Sequence, residues 1–116
     1  MSIKKIDSYT FGSIVIDGVT YDTDVILLPD RVIENWWRKD GHLLCPEDLT
    51  EVIKSKPEIF IIGRGMYDKL KVTLETHALL QANNIELIEI DSQKACDEYN
   101  ALAPTRAVAA GIHLTC

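Results

Sequence analysis

The chain has 116 residues and a mass of 13.0 kDa, enough for one domain over residues 1–116 to bury a hydrophobic core without disulfides or metals. Apolar residues make up 47% of the sequence and charged residues 26%, which excludes a disordered chain and is typical of a soluble globular protein. The net charge of −6 and the isoelectric point near 4.9 exclude a broadly basic surface, so we expect neither nucleic acid nor a membrane as a partner.

The start of the chain and its cysteines bear on the compartment. Residues 1–5 contain two lysines but no long apolar segment follows them, which predicts neither a signal peptide nor a membrane anchor. The three cysteines, Cys45, Cys96 and Cys116, are an odd number in a sequence without an export signal. We therefore expect free thiols and a cytoplasmic location.

The first third of the chain, residues 1–37, has the pattern of β structure. Its strongest local signal is Asp17-Gly18, which is typical of a tight hairpin turn. If Trp36 and Trp37 belong to a strand, they point to opposite faces, which makes one of them a candidate for a rim or cleft, with packing in the core as the more common use. Apolar and β-branched runs predict strands over residues 13–16, 19–21, 25–28 and 33–37.

The middle of the chain is predicted to form a loop, a short helix and a buried strand. Residues 41–44 are predicted to be the loop, Pro46 suits the first position of the helix, and the helix ends before Pro57. Residues 59–62 are Ile-Phe-Ile-Ile, an apolar run without alternation, which is typical of a strand covered on both faces. We therefore predict that this strand is central in an α/β sheet and that Gly63 marks its exit.

Two further helices and two strands are predicted in the last third. Thr73 is the predicted N-cap of a helix over residues 74–83, and Asp91 caps another that ends near Leu102. The remaining apolar runs predict strands over residues 85–90 and 107–114. The apolar side of the first of these helices is predicted to be Leu74, Ala78, Leu79 and Ala82.

The order of these elements defines the fold class. A series of strands comes first, and a β-α-β-α-β alternation follows it. This order predicts an α/β fold, a three-layer domain in which a leading β meander precedes the central sheet.

Several stretches together resemble a known family. They are Gly63-Arg64-Gly65-Met66 with Leu70-Lys71-Val72, Glu98-Tyr99-Asn100-Ala101-Leu102, Ala109-Ala110-Gly111-Ile112-His113-Leu114-Thr115-Cys116, and Phe11-Gly12 with the Asp17-Gly18 hairpin. Taken together in their order along the chain, these stretches are similar to the small domain shared by the adipogenesis-associated domain-containing protein and the mitochondrial complex I assembly factor related to it. The resemblance covers essentially the whole chain.

The resemblance implies more about the fold than about chemistry. It implies a mixed five-stranded central sheet whose last strand is antiparallel. It implies little biochemistry, because that family is largely uncharacterised. The sequence has no segment like a mitochondrial targeting leader, so an assembly role inside an organelle does not carry over.

The Gly63-Arg64-Gly65 turn is the candidate ligand site. Ligands of open α/β sheets bind outside the carboxyl ends of the strands, where glycine N–H groups and Arg64 would donate hydrogen bonds to an anion. An antiparallel last strand would bring Arg106 to the same edge, and His113 on that strand is a second candidate. The turn matches neither a P-loop nor Gly-x-Gly-x-x-Gly. The structural alternative is that the glycines only permit a tight exit and close packing.

Two His-x-x-Cys pairs are weaker candidates. His42 with Cys45 and His113 with Cys116 would supply four ligands for zinc, but their spacing is too loose to predict a metal. His113 and Cys116 would form a base and nucleophile only if the chain bends after Leu114, because residues three apart in a strand point to opposite faces. We therefore predict no catalytic residue, metal or cofactor.

Two hypotheses of function follow. The first is a non-catalytic interaction or assembly-type factor that uses the crevice edge at Gly63-Arg64-Gly65, with a protein partner. The second is a protein, or an enzyme, that binds a phosphate or carboxylate metabolite in the same crevice.

Overall fold

The computed structural model describes residues 4–116, so residues 1–3 of the predicted β region lie outside the described part. Within residues 4–116 the chain forms strands, helices and one 3₁₀ turn at Pro46–Leu49. The strands are β1 (Ile6–Thr10), β2 (Ser13–Ile16), β3 (Val19–Tyr21), β4 (Val25–Leu27), β5 (Val32–Ile33), β6 (Leu43–Leu44), β7 (Ile59–Gly63), β8 (Lys71–Val72), β9 (Glu86–Ile90) and β10 (Val108–Ile112). The helices are α1 (Thr50–Ser55), α2 (Leu74–Ala82) and α3 (Ser92–Leu102).

The central sheet is five-stranded and mixed, in the order β5-β4-β10-β7-β9. Strand β7 lies between two parallel neighbours, and every one of its residues is buried. The prediction from the non-alternating run at residues 59–62 is therefore confirmed. Strands β4 and β5 add the antiparallel part of the sheet.

The last strand, β10, is antiparallel to β4 but parallel to β7. The expectation that it would run antiparallel to the central strand was wrong. The reason is the connection: β9 is parallel to β7, and α3 carries the chain from the end of β9 back to the start of β10. A helical crossover of this kind returns the chain to the same end of the sheet, so the next strand runs parallel.

Two hydrophobic clusters cover the two faces of this sheet and confirm a three-layer arrangement. One joins the sheet to α3 and to the antiparallel meander β1-β2-β3, and it includes Tyr99, Ile61 and Ile14. The other joins the opposite face to α1 and α2, and it includes Phe60 and Trp36. The leading β meander is therefore a separate sheet, packed on the central one through α3 and its own apolar residues.

Local signals explain where the helices begin and end. The Thr73 hydroxyl accepts the Thr76 N–H at the start of α2, and Asp91 Oδ1 accepts the Lys94 N–H at the start of α3, as predicted. Helix α1 ends at Ser55, and its C-cap Lys56 has a left-handed conformation (φ 49°) directly before Pro57.

The predicted apolar side of α2 was wrong. Leu74 is 83% exposed, Ala78 and Ala82 are exposed, Leu79 is half-buried, and the buried residues are Thr76 and Leu80. The Thr76 hydroxyl donates a 2.7 Å hydrogen bond to the Leu44 carbonyl on β6. This buried polar contact orients the helix and turns Leu74 to the surface.

Three smaller differences concern loops and strand ends. Residues 43–44, predicted to be loop, form β6, which pairs in parallel with β8. The predicted strand over residues 33–37 ends at Ile33, because Asn35 has a positive φ of 55° and its N–H bonds the Thr23 hydroxyl. Strand β9 forms an edge of the sheet and is half-buried.

Within residues 4–116, no helix has the length and apolar character that crossing a membrane requires.

Candidate functional site

The Gly63-Arg64-Gly65 turn follows β7 at the carboxyl edge of the central sheet. Its backbone N–H groups donate to acceptors of the protein itself. The Arg64 N–H bonds the Ile90 carbonyl at 2.9 Å, and the Gly65 N–H bonds Ser92 Oγ at 2.9 Å. An anion could bind these N–H groups only by displacing the Ile90 carbonyl and the Ser92 hydroxyl, which already accept from them.

The two glycines are needed for close packing. A Cβ at Gly63 would lie 2.9 Å from Ser92 Oγ and 3.0 Å from Ser92 Cα. Gly65 has φ +98°, and a Cβ there would lie 2.3 Å from the carbonyl carbon of Cys116. The C-terminal residues are therefore packed onto the turn, and the Met66 N–H bonds the Thr115 carbonyl at 2.7 Å.

The Arg64 side chain is engaged with two carboxylates. Its Nε and Nη2 each donate a 2.8 Å hydrogen bond to Asp68, and its Nη1 donates to Glu89 at 3.1 Å. The side chain is 25% exposed. Arg64 therefore closes the turn as the centre of an ion-pair network.

Arg106 lies at the opposite edge of the sheet, so the prediction that it would join the Gly63 edge was wrong. Because β10 runs parallel to β7, its start lies beside the start of β7. There Arg106 Nε donates to Glu58 at 3.3 Å. The pKa of Glu58 is lowered, first by the Ala107 backbone N–H and then by Arg106.

The same parallel pairing brings His113 to the carboxyl edge, next to the turn: its N–H bonds the Gly63 carbonyl at 3.0 Å. The antiparallel register of β10 with β4 pairs Ile112 with Val25, which places Asp24 opposite His113. His113 Nδ1 lies 2.7 Å from Asp24 Oδ2. Nδ1 also lies 3.1 Å from Arg38 Nη2, but its shorter contact is to a carboxylate, which only accepts, so we assign the proton of the ring to Nδ1.

Asp24 is the acceptor on which this cluster converges. Its Oδ1 accepts the Leu114 N–H at 2.8 Å, and its Oδ2 accepts Arg38 Nη2 at 2.7 Å as well as His113. Burial alone would raise the pKa of Asp24, but the hydrogen bonds from His113, Leu114 and Arg38 outweigh burial and lower it. The carboxylate is therefore held in its ionised form.

Arg38 has a role that sequence reasoning missed. Its side chain is only 5% exposed, and its guanidinium lies 4.9 Å above the ring of Trp36. Its Nε and Nη1 are buried and have no hydrogen-bond partner among residues 4–116. The ring of Trp36 lies against β10, where a Cβ at Gly111 would come within 2.7 Å of it.

A cavity of about 560 Å³ opens beside this cluster. We call it the tryptophan cavity; its lining includes Thr23, Asp24, Trp36, Trp37, Arg38 and Lys39. Trp36 is 8% exposed and Trp37 83%, and both line the cavity, although the strand on which the sequence interpretation rested ends at Ile33. The available sequence signal was Asp24, a carboxylate that directly precedes a fully buried strand.

A second surface feature lies at the same edge. Phe11, Met66 and Tyr67 are exposed by 50%, 39% and 63%, and the Phe11 and Tyr67 rings lie 6.2 Å apart. We call this surface the aromatic edge. It is adjacent to the glycine turn, because Met66 follows Gly65 directly, and the N–H groups of Gly12 and Met66 bond the Leu114 and Thr115 carbonyls.

The two residues of the His113–Cys116 pair bind separate partners. The ring of His113 is bound to Asp24, whereas the Cys116 carbonyl accepts the Lys69 N–H at 3.0 Å. Cys96 lies in the core, and burial raises the pKa of its thiol to about 12. Among residues 4–116, no group of three or more His, Cys, Asp or Glu side chains is arranged to hold a metal.

Comparison with known proteins places this architecture in a wider group. A family model described as "Protein of unknown function (DUF498/DUF598)" matches residues 6–113. The chain is similar to a conserved hypothetical protein from Pyrococcus horikoshii, with 26% identity and a TM-score of 0.85 over 97% of this chain and 99% of that one. It is similar to the protein MT938, with 28% identity and a TM-score of 0.80 over the same shares. A Mth938-like domain from Bordetella pertussis, 19% identical, shares the fold with a TM-score of 0.70 over 96% of this chain and 85% of that one.

Proposed function

The chain belongs to the DUF498/DUF598 family of unknown function, and from the surface that its fold presents we propose that it is a non-catalytic interaction domain of the assembly-factor type. The aromatic edge is the surface that holds a protein partner. This surface is built on the Gly63-Arg64-Gly65 turn, so the glycines serve it as a scaffold.

The observation that carries the proposal is the exposure of neighbouring apolar side chains. Phe11 and Tyr67 form a tilted ring pair, and Met66, the residue before Tyr67, is exposed as well. Singly exposed apolar residues are normal, whereas neighbouring ones mark interaction sites. Aromatic residues and methionine are also the types enriched in protein interfaces.

The scaffold holds this surface in place before any partner binds. The Gly12 N–H bonds the Leu114 carbonyl at 2.9 Å and the Met66 N–H bonds the Thr115 carbonyl at 2.7 Å. Both segments of the aromatic edge are thus fastened to the same C-terminal residues. A surface that is already ordered loses little conformational entropy on binding, so a small apolar contact suffices for recognition.

Two further expectations belong to this proposal. The resemblance to the adipogenesis-associated and complex I assembly factor domains supports a role in bringing other proteins together. The free thiols of Cys45, Cys96 and Cys116 suit a reducing compartment such as the cytoplasm.

The proposal is tested by comparing variants as bait in a pull-down. Phe11→Ser with Tyr67→Ser removes the ring pair, while Leu74→Ser is the matched control, because Leu74 is 83% exposed on α2. We expect the wild-type chain and the control to recover the same partner and the double variant to lose it. Thermal denaturation of all three checks that each is folded. Equal recovery by the double variant, or no partner at any salt concentration, would contradict the proposal.

A further inference from the structure

We infer that the tryptophan cavity is a binding site for a small ligand with a flat apolar body and one oxyanion group, a carboxylate or a phosphate. This site is separate from the aromatic edge and does not depend on the interaction proposed there. Its volume of about 560 Å³ lies within the range of small-molecule sites.

The oxyanion is inferred from Arg38. A buried guanidinium normally has a partner for each of its nitrogens, and buried donors without one call for a specific explanation. Arg38 Nη2 bonds Asp24, but Nε and Nη1 have no partner among residues 4–116. These two nitrogens lie on different edges of the planar guanidinium, so an oxyanion in the cavity supplies an acceptor for one of them, and this charge-assisted pairing is what Arg38 lacks there.

Asp24 does not supply that pairing. Its two oxygens already accept from Leu114, His113 and Arg38 Nη2. The charged residues in the cavity lining are two cations, Arg38 and Lys39, against the single carboxylate of Asp24. Lys39 Nζ is itself paired with Glu47 at 3.3 Å, so the local charge is close to balanced, and the preference for an anion rests on the two unpartnered nitrogens of Arg38.

The flat apolar body is inferred from Trp37. Its indole is 83% exposed at the cavity, so one of its faces is open for a planar group to stack on. Arg38 lines the cavity but its Nε and Nη1 are buried, so binding includes a side-chain movement that uncovers one of them. The exposed side chains at the wall, Trp37 and Lys39 (72% exposed), can turn without disturbing the core.

The inference is tested with 1-naphthoate and its uncharged analogue 1-naphthalenemethanol. The chain has two tryptophans, both in this cavity, so the two indole N–H signals in a ¹H–¹⁵N spectrum report on it directly. We expect naphthoate to shift the Trp37 signal to saturation and to bind about ten-fold more tightly than the alcohol, the gain from a charge-assisted pair. Inorganic phosphate, which lacks the apolar body, is expected to bind more weakly than naphthoate.

Two variants assign the charge preference. Arg38→Met should remove the preference for naphthoate over the alcohol, whereas Arg31→Met, at an exposed arginine paired with Asp30 and Glu51, should retain it. If Arg38→Met does not fold, Lys39→Met tests the same preference from an exposed position, with a smaller loss expected. Equal affinity for the two probes, unshifted indole signals, or shifts confined to Phe11 and Tyr67 would overturn the inference.

Discussion

Two loops at the carboxyl edge of the sheet use their donors in opposite ways. In the Gly63-Arg64-Gly65 turn, the N–H groups of Arg64 and Gly65 and all three guanidinium nitrogens of Arg64 have protein acceptors. In the loop that carries Trp36 and Arg38, two buried guanidinium nitrogens have none among residues 4–116. The turn resembles a ligand-binding motif, but its donors are occupied and it is structural. The donors without an acceptor lie in the loop that carries Trp36 and Arg38, which contains no motif.

The difference follows from what each arginine can reach. Arg64 is partly exposed and meets two carboxylates that are themselves partly exposed, Asp68 and Glu89. Arg38 is buried on an indole and shares its one carboxylate with His113 and a backbone N–H. A motif therefore identifies a binding site only when its donors are left without internal acceptors.

The largest loss of stability is expected from removing Asp24, the only carboxylate paired with the buried Arg38. Asp24→Ala leaves Arg38 buried without an anionic partner, so the free energy of unfolding should fall by about 3 kcal/mol. Urea denaturation measures the change. The control is Asp30→Ala, because the Asp30–Arg31 pair is exposed and should contribute at most about 0.5 kcal/mol. Equal effects of the two substitutions would show that the loop holds no costly buried charge.

A smaller loss of stability is expected from a substitution in the Gly63-Arg64-Gly65 turn. Gly65→Ala places a Cβ against Cys116 at a positive φ, which should lower the free energy of unfolding by about 2 kcal/mol. Deleting Thr115 and Cys116 removes the clash but keeps the backbone strain. In a double-mutant cycle the cost of Gly65→Ala should therefore be smaller in the shortened chain. An unchanged cost would mean that the packing of the C-terminal residues does not explain this glycine.

The pH dependence of stability should report on Asp24, the carboxylate that pairs with Arg38. Folding lowers the pKa of Asp24 from 3.8, so its contribution to stability is present above pH 3.8 and is lost as the pH falls through the folded-state pKa below that value. The free energy of unfolding of the wild-type chain should therefore fall more steeply in this window than that of Asp24→Asn. Chemical denaturation at a series of acidic pH values measures both slopes. Parallel curves would show that Asp24 is not stabilised as an anion.

The smallest effect is expected at Arg64. Its partners are 44% and 30% exposed, so Arg64→Ala should lower the free energy of unfolding by about 0.5 kcal/mol. Because its donors are occupied, any stabilisation by added phosphate in a thermal denaturation assay should be the same in the variant and the wild-type chain. A phosphate-dependent shift that disappears in Arg64→Ala would instead make the turn an anion site.

The parts of the fold that the sequence predicts are those with local causes. The four apolar residues before Gly63 indicate a strand covered on both faces, and Thr73 and Asp91 cap helices through contacts three residues away. The side of α2 that faces the core was not predictable in this way. It depends on a hydrogen bond from Thr76 to Leu44, 32 residues earlier in the chain.

The candidate site depends even more on distant pairing. Asp24 and His113 are 89 residues apart and meet only because β4 and β10 pair in one register. Arg106 was predicted at the wrong edge of the sheet, because the direction of β10 follows from the α3 crossover and not from a local signal. His113 was identified from its place on the last strand, but its partners Asp24 and Arg38 were not.

The two adjacent indoles give the chain a pair of optical reporters with opposite surroundings. Trp36 lies in the core against Gly111, so its fluorescence should be blue-shifted and protected from iodide until the last strand detaches. Trp37 should emit at longer wavelength and be quenched from the start, since 83% of it is open to water. One emission spectrum therefore separates global unfolding from events confined to the surface.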